Sequence, residues 1–138
     1  MTARRSHPRL LGLVLVALAV SVAVPACSGS SPGRPSTPAT LQIVTPAPNA
    51  VTGSDVDLRL RLHDAQVAAG SERSGKIRPD RGHIHVSVDG QVTQMYYGTH
   101  QTVAGLTPGR HTIQAEFVAV DHAPFSNRVV AAVTFEVR

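Results

Sequence analysis

Hydrophobic and polar residues alternate with a period of two along most of the chain after residue 41. The clearest example is VDLRLRLH at 56–63, in which every second residue is apolar. Strict alternation indicates a strand with one buried face. Asp89-Gly90 supplies the two-residue turn that is favoured between antiparallel strands. Because no stretch after residue 41 shows sustained helical periodicity, we predict strands at 41–45, 55–63, 82–88, 91–97, 101–106, 111–120 and 128–137.

The predicted strands fit one all-β domain. Residues 41–138 amount to 98 residues, about the size of an immunoglobulin-like domain. Strands of this length with turn residues between them are typical of two antiparallel sheets packed face to face. We therefore predict an all-β, immunoglobulin-like antiparallel β-sandwich of about seven strands, formed by 41–138 as a single domain.

Residues 1–26 have the pattern of a bacterial signal peptide. Three arginines in the first nine residues precede fifteen uncharged residues, 10–24, whereas a membrane-spanning helix needs about 20 apolar residues. The tetrapeptide VPAC at 24–27 resembles the lipobox of bacterial lipoproteins, although valine stands where leucine is usual. The resemblance implies cleavage before Cys27, lipidation of Cys27 by a diacylglyceryl group, and an extracytoplasmic position at the cell membrane. The alternative is a generic signal peptide in which Cys27 has no role.

Cleavage at this point changes the charge of the chain. The full sequence has 13 Lys+Arg against 9 Asp+Glu, and the three arginines of the signal peptide leave 10 against 9. A nearly neutral chain with three Phe, two Tyr and no Trp gives no basis for nucleic-acid binding. Residues 27–40 are mostly Ser, Gly, Pro and Thr, which predicts a flexible tether between Cys27 and the domain.

Four segments of the domain resemble a known family. They are LQIVTP at 41–46, GHIHVSVDG at 82–90, LTPGRHT at 106–112 and DHAP at 121–124. In this order they resemble a bacterial secreted domain, the domain-of-unknown-function family 4399. The resemblance covers most of 41–138 and implies an immunoglobulin-like sandwich. Because the family has no established activity, the resemblance supplies no function.

Several histidines are expected at one end of a Greek-key sandwich. His83 and His85 lie two residues apart on one predicted strand, so their rings share a face at about 6 to 7 Å. The predicted hairpin pairs Tyr96 with His83, and the strand order brings the ends of neighbouring strands close to both histidines. Imidazoles at this spacing suit Cu(II), Zn or Ni. The predicted metal ligands are His83, His85, His122 and His100, with Asp121, Glu116 and Tyr96 in support.

Two other interpretations of the histidines stay open. Histidines on a polar sheet face are ordinary and need no ligand, whereas crowded imidazoles would become charged at about pH 6 and form a pH-responsive cluster. His111 lies apart from the others in the predicted order of strands. We expect it to hydrogen-bond to the backbone at the corner before its strand, as the tyrosine of a tyrosine corner does.

The connection 64–81 is eighteen residues long, which is unusual for a structureless loop in a compact domain. Such loops are commonly functional or disordered, and this one leaves the domain at the predicted histidine end. We predict either a loop that binds a protein or an envelope polymer, or a mobile surface insertion. The basic residues expected to contact a partner are Arg73, Lys76, Arg78 and Arg81.

The sequence contains no complete P-loop and no H-E-x-x-H zinc motif, and no cysteine remains as a nucleophile once Cys27 is acylated. We therefore expect a non-enzymatic protein. The sequence predicts an extracytoplasmic, lipid-anchored binding or structural module of unknown ligand, which binds a transition metal such as Cu(II) or Zn through its histidines. The alternative is a protein or envelope-polymer interaction module that uses 64–81 and has structural histidines.

Overall fold

The computed structural model describes residues 33–73, 75–96 and 98–138. The predicted signal peptide, Cys27 and the first part of the predicted tether lie outside the described residues. No helix in these ranges is long and apolar enough to cross a membrane. The regular elements of the described chain are strands, namely β1 (Thr40–Thr45), β2 (Val51–Thr52), β3 (Val56–His63), β4 (Gln66–Val67), β5 (Arg81–Val88), β6 (Gln91–Tyr96), β7 (His100–Val103), β8 (Gly109–Ala119) and β9 (Pro124–Val137).

The strands form two sheets that share one core. The smaller sheet has the order β1-β3-β7, and the larger has the order β2-β9-β8-β5-β4 with β6 also paired to β5. The short β2–β9 and β4–β5 ladders are parallel, whereas the ladders between the longer strands are antiparallel. This is the Greek-key arrangement of an immunoglobulin-like domain, so the predicted all-β sandwich is confirmed.

The predicted strands are all present, with some ends displaced. The final strand begins at Pro124 rather than at residue 128, and the strand predicted at 101–106 ends at Val103. The structure adds β2 and β4, each of two residues. Alternation cannot reveal strands this short because two residues do not establish a period.

The inward faces of both sheets supply the main core. Burying an apolar side chain the size of phenylalanine or leucine contributes about 1.5–3 kcal/mol. Phe117 on β8 and Phe125 on β9 stack in this core with their ring centroids 5.6 Å apart. The core therefore fixes the central strands of the larger sheet beside one another. Its largest fully buried side chains include Phe117, Phe125, Phe135, Leu58, Ile84 and Ile113.

The connection 64–81 folds back over the outer face of the larger sheet. Its β4 adds to the edge of β5, and the N–H of Ala68 donates to the carbonyl of Gly82 at 2.7 Å. Ala68 and Val118 are buried although they lie outside the main core. Since Val118 is paired with His83 across the β5–β8 ladder, both side chains share this covered outer face.

β5 and β8 approach each other unusually closely at Gly82. A Cβ atom added to Gly82 would lie 1.9 Å from the carbonyl oxygen of Val118 and 3.1 Å from the ring of Phe117. The β8–β9 ladder shifts its register between Phe117 and Val118, at the same level of the sheet. The glycine therefore sets the spacing of the strands directly beside His83.

The N-terminal part of the described chain packs on the domain from Arg34 onward. Arg34 binds Asp121 through two contacts of 2.8 and 2.9 Å. Thr37 and Asn127 exchange two hydrogen bonds of 2.8 Å, and Thr37 and Ala39 are buried. These residues therefore pack on the domain although they precede the predicted boundary at residue 41, because they have specific partners on β9 and in the turn before it. A composition of Ser, Pro and Thr does not reveal such pairings.

Candidate functional site

Three histidines lie together on the outer face of the larger sheet. β5 carries His83 and His85, and the turn between β8 and β9 carries His122. The ring centroid of His122 lies 4.8 Å from the ring centroid of His83, and the two ring planes differ by 13°. It lies 5.6 Å from the ring centroid of His85, and these two planes differ by 12°. The structure thus brings together three of the four predicted histidine ligands. We call these three residues the histidine cluster.

His85 and His122 contact each other edge to edge. The Nε2 of His85 and the Nδ1 of His122 are 3.3 Å apart. The 5.6 Å between ring centroids exceeds this distance by about two ring radii, so each nitrogen points directly at the other. This is the geometry of an N–H···N hydrogen bond, in which one nitrogen donates and the other accepts. The contact therefore requires that one of the two nitrogens carry no proton.

His83 joins the sheet to the connection that covers it. Its side chain is fully buried, and its Nε2 lies 2.8 Å from the carbonyl oxygen of Glu72. Because a carbonyl can only accept, the ring donates from an Nε2–H. The carboxylate of Glu72 is also bound by the guanidinium of Arg81 at the start of β5. Glu72 is thus attached to the sheet through both its main chain and its side chain.

His122 occupies a left-handed backbone conformation with a φ of 64°. Its N–H donates to the carbonyl of Ala119 at 2.8 Å, and the N–H of Ala119 donates to the carbonyl of Ala123 at 3.1 Å. Short hairpin loops favour glycine at such a position, and another residue there costs on the order of 1–3 kcal/mol. The ring contacts with His83 and His85 are interactions that a glycine would lack, and they offset part of this cost.

Arginines also bind the carboxylates of Glu116 and Asp121, which interact electrostatically with His85 and His122. Glu116 pairs with His85 across the β5–β8 ladder, and Arg128 holds its carboxylate through contacts of 2.8 and 2.6 Å. Asp121 is held in the same bidentate manner by Arg34, and hydrogen bonding from this guanidinium lowers the pKa of Asp121. The charge of each carboxylate is therefore already compensated by an arginine, which weakens its attraction for a metal ion or a proton.

Burial lowers the pKa of both imidazoles in the edge-to-edge pair. For His85, the charge of a protonated His122 lowers the pKa further, whereas Glu116 opposes the shift. For His122, the charges of His83 and Arg73 add to the effect of burial, and Asp121 opposes it. The pair is therefore favoured in its uncharged form at neutral pH.

The cluster does not have the geometry of a metal site. A metal ion bound by histidine lies in the ring plane at about 2.0–2.1 Å from the nitrogen. Near-parallel rings do not direct three lone pairs at one point. Among the described residues, no group of three or more His, Cys, Asp or Glu side chains is arranged to hold a metal ion. We therefore do not assign His83, His85 and His122 as metal ligands.

No contact joins His100 to the three histidines among the described residues, and Tyr96 has another strand partner than predicted. His100 belongs to β7 in the smaller sheet, where its Nε2 contacts the carboxylate of Asp57. Tyr96 pairs with Ile84 rather than with His83, because the β5–β6 ladder shifts its register by one residue next to Val86. The predicted pairing of Tyr96 with His83 is therefore wrong. A β-bulge and the sheet to which a strand belongs are tertiary features that a pattern of alternation does not contain.

The connection 64–81 presents positive charge to solvent. Arg73, Lys76 and Arg78 are exposed, and Arg78 pairs with Asp80 at 2.9 Å. In the part of the chain that the structure describes, no carboxylate forms an ion pair with Arg73 or Lys76. The fourth predicted partner residue, Arg81, is used within the fold by Glu72. These two unpaired cations therefore define the basic surface of the connection.

His111 lies at the opposite end of β8 and has a different environment. Its Nε2–H donates to the carbonyl of Thr107 at 2.8 Å, and its Nδ1–H donates to the carboxylate of Asp89 at 2.7 Å. Because both partners only accept, the ring is an imidazolium, and the hydrogen bond to Asp89 raises the pKa of His111. The predicted hydrogen bond to the backbone at this corner is confirmed.

Comparisons with known proteins do not assign the chain to a family. No protein-family model matches it, and no curated protein matches it. Among solved structures, it is similar to the PKD domain of human KIAA0319, a solution structure, with 14% sequence identity and a TM-score of 0.44. That similarity covers 80% of this chain and 90% of the PKD chain. The resemblance to family 4399 therefore stays a prediction.

Proposed function

We propose that the chain is a lipid-anchored, extracytoplasmic binding module that contacts its partner through the connection 64–81. One observation carries the proposal: this connection is exposed and also fixed. Arg73 and Lys76 face solvent, whereas Glu72 and Ala68 are bonded to the sheet beneath. A surface that is ordered before binding loses less conformational entropy on association than a mobile loop does. The role we propose is non-enzymatic.

The charge of this surface points to an acidic partner, a protein or an envelope polymer. Arg78 and Arg81 already pair with carboxylates of the same connection. Arg73 and Lys76 form no such pair among the described residues, so they are the charges available to a partner. Complementary charge at an interface mainly increases the association rate and the specificity, and its effect weakens with salt. In this proposal the histidines are structural and hold the basic surface in position.

Removal of the two unpaired charges tests the proposal. The full-length chain is immobilised and exposed to a detergent extract of the cell envelope, and capture is compared for the wild type and Arg73→Ala/Lys76→Ala. Arg61→Ala/Arg110→Ala is the matched control, because it removes the same charge from exposed positions on β3 and β8. We expect Arg73→Ala/Lys76→Ala to capture about tenfold less of the partner than the wild type, and the control variant to capture as much as the wild type. Capture by the wild type should also decrease as salt is added. Equal capture by both double variants would show that another surface binds.

Transition-metal binding by the histidines is the competing proposal. It requires the His85–His122 hydrogen bond to open and the rings to turn toward a common point. Calorimetric titration with Cu(II) and Zn(II) distinguishes the two, with wild type compared with His83→Ala/His85→Ala. We expect no heat that is specific to the wild type. Binding heat that disappears in the double variant would contradict the structural role and support a metal site.

The anchor is tested separately from the binding surface. Two acyl chains on Cys27 would give durable attachment to the membrane, which a single chain does not provide. We expect the wild type in the membrane fraction and Cys27→Ala in the soluble fraction after cell fractionation. Recovery of Cys27→Ala in the membrane fraction would contradict lipidation as the means of attachment.

A further inference from the structure

The histidine cluster holds one specific part of the connection 64–81. The first residues of the connection are fixed by the β4–β5 ladder, and Ile77 packs against the main core. Between them, residues 69–73 are attached to the sheet through Glu72, whose carbonyl binds His83 and whose carboxylate binds Arg81. The contacts Glu72 N–H to Ala69 and Arg73 to Gly70 lie within the same stretch. The position of 69–73 therefore depends on the ring of His83 and its surroundings.

His122 also contacts His83 and joins it to His85. Its ring lies over His83 at 4.8 Å while its Nδ1 is bonded to His85. Arg73, the exposed end of the stretch 69–73, is close enough to His122 to lower its pKa. The turn that carries His122, the buried ring of His83 and the stretch 69–73 thus form one continuous set of contacts.

We propose that the histidine cluster is an acid-sensitive latch that holds residues 69–73 on the sheet at neutral pH and releases them when His85 and His122 are both protonated. The hydrogen bond between these two rings accommodates one added proton, because a protonated ring can still donate to a neutral one. It does not accommodate two, since both facing nitrogens would then carry hydrogens and positive charge. Double protonation therefore separates the turn at His122 from β5.

The charges around the pair favour this opening. The positive charge of Arg73 disfavours a charged His122, so protonation of His122 adds repulsion between the turn and the stretch that the latch holds. The carboxylates that would stabilise two imidazolium ions are already bound by arginines. The titratable and charged groups that surround the pair are His83 on β5, Glu116 on β8 with Arg128 on β9, Asp121 in the turn with Arg34, Glu72 and Arg73 in the connection, and Arg81.

Hydrogen exchange followed by mass spectrometry tests the latch in the full-length chain. Exchange of the amides of 69–73, corrected for the intrinsic effect of pH, is measured at about pH 7.5 and about pH 5, on either side of the ordinary histidine pKa. We expect a rise of about tenfold or more at the lower pH in the wild type. The rise should be absent in His122→Asn, because asparagine tolerates the left-handed conformation and does not titrate. His100→Gln is the control, since His100 is an exposed histidine of the smaller sheet.

Two results would overturn the latch. One is unchanged protection of 69–73 at acidic pH in the wild type, and the other is the same acid response in His122→Asn as in His100→Gln. Nitrogen-15 spectra of the wild-type histidine rings provide a measurement that does not depend on a folded variant. We expect the second proton to enter the His85–His122 pair over the same pH range in which 69–73 lose protection. Full protonation of both rings while 69–73 stay protected would contradict the proposal.

Discussion

Replacement of Gly82 by alanine should be among the most destabilising single-methyl changes in this domain. The new Cβ would lie 1.9 Å from the carbonyl oxygen of Val118, which must retreat by more than about 1 Å to reach a tolerable contact. That oxygen belongs to the backbone of β8 and cannot rotate away as a side chain would, and the ring of Phe117 blocks the other direction at 3.1 Å. Overpacking of a well-packed core typically costs 1–3 kcal/mol. We expect about 3 kcal/mol, at the upper end, because the strand pairing must also open.

Urea unfolding of Gly82→Ala measures this cost, with Gly53→Ala as the matched control. A Cβ at Gly53 would meet no atom within 4 Å, so the same methyl group there should change the stability by less than about 1 kcal/mol. In a thermal experiment, a loss of about 3 kcal/mol corresponds to a decrease in Tm of about 12–24 °C for a domain of this size. If Gly82→Ala unfolds at the same urea concentration as Gly53→Ala, the close approach of β5 and β8 is wrong.

Three further predictions concern charges and hydrogen bonds near the two ends of β8. His111 has a raised pKa, so its pair with Asp89 stabilises the fold below the ordinary histidine pKa and loses that contribution as pH rises through the raised value. The difference in urea midpoint between wild type and His111→Gln should therefore shrink from about pH 5.5 to about pH 8.5, and a constant difference would argue against the imidazolium. Asn127→Ala should lower the free energy of unfolding by about 1–2 kcal/mol, because it removes the two hydrogen bonds to Thr37. It should also make 34–39 accessible to protease, and unchanged resistance to cleavage would show that these hydrogen bonds do not hold the stretch on the domain. Arg128→Ala leaves the charge of Glu116 uncompensated, so the titration midpoint of His85 in NMR should rise, and a fall would contradict the arrangement.

The opposite shifts of the two sets of histidines have a joint effect on stability. His85 and His122 have lowered pKa values, so the stability that comes from their uncharged forms is present above the ordinary histidine pKa and is lost as pH falls. His111 contributes in the opposite sense. We therefore expect acid to reduce the stability contributed by the end of the domain that carries the histidine cluster. We expect base to reduce the stability contributed by the opposite end, which carries His111.

Much of the sandwich follows from the alternation of apolar and polar residues. A period of two identifies the long strands because every second side chain enters the core, as in β3, β5 and β8. The same argument places His83 and His85 on one outer face, since Ile84 between them is a core residue. The convergence of His122 on this pair was predictable because β8 lies next to β5 in the Greek-key order.

The rest of the site depends on tertiary contacts that residue types do not report. Glu72 binds His83 through its main-chain carbonyl, and any residue could supply that group. Arg34 lies in a stretch whose composition resembles a linker, and only the folded structure shows its pairing with Asp121. The burial of His83 was missed for the same reason, since an outward-facing residue becomes buried only when a distant part of the chain covers it.

If Cys27 carries the predicted acyl group, the packed stretch 34–39 limits how far the domain can stand from that anchor. With the acyl group on Cys27, a free tether would begin at that residue and extend to the predicted domain boundary at residue 41. Attachment of Arg34 to the turn at Asp121 leaves seven residues to span the gap, which reach roughly 25 Å at full extension. Under the proposed lipidation, a connecting segment of this length would confine the domain to a thin layer above the bilayer. The end that carries the histidine cluster would then be oriented toward the membrane, and the opposite end of the sandwich toward the surroundings.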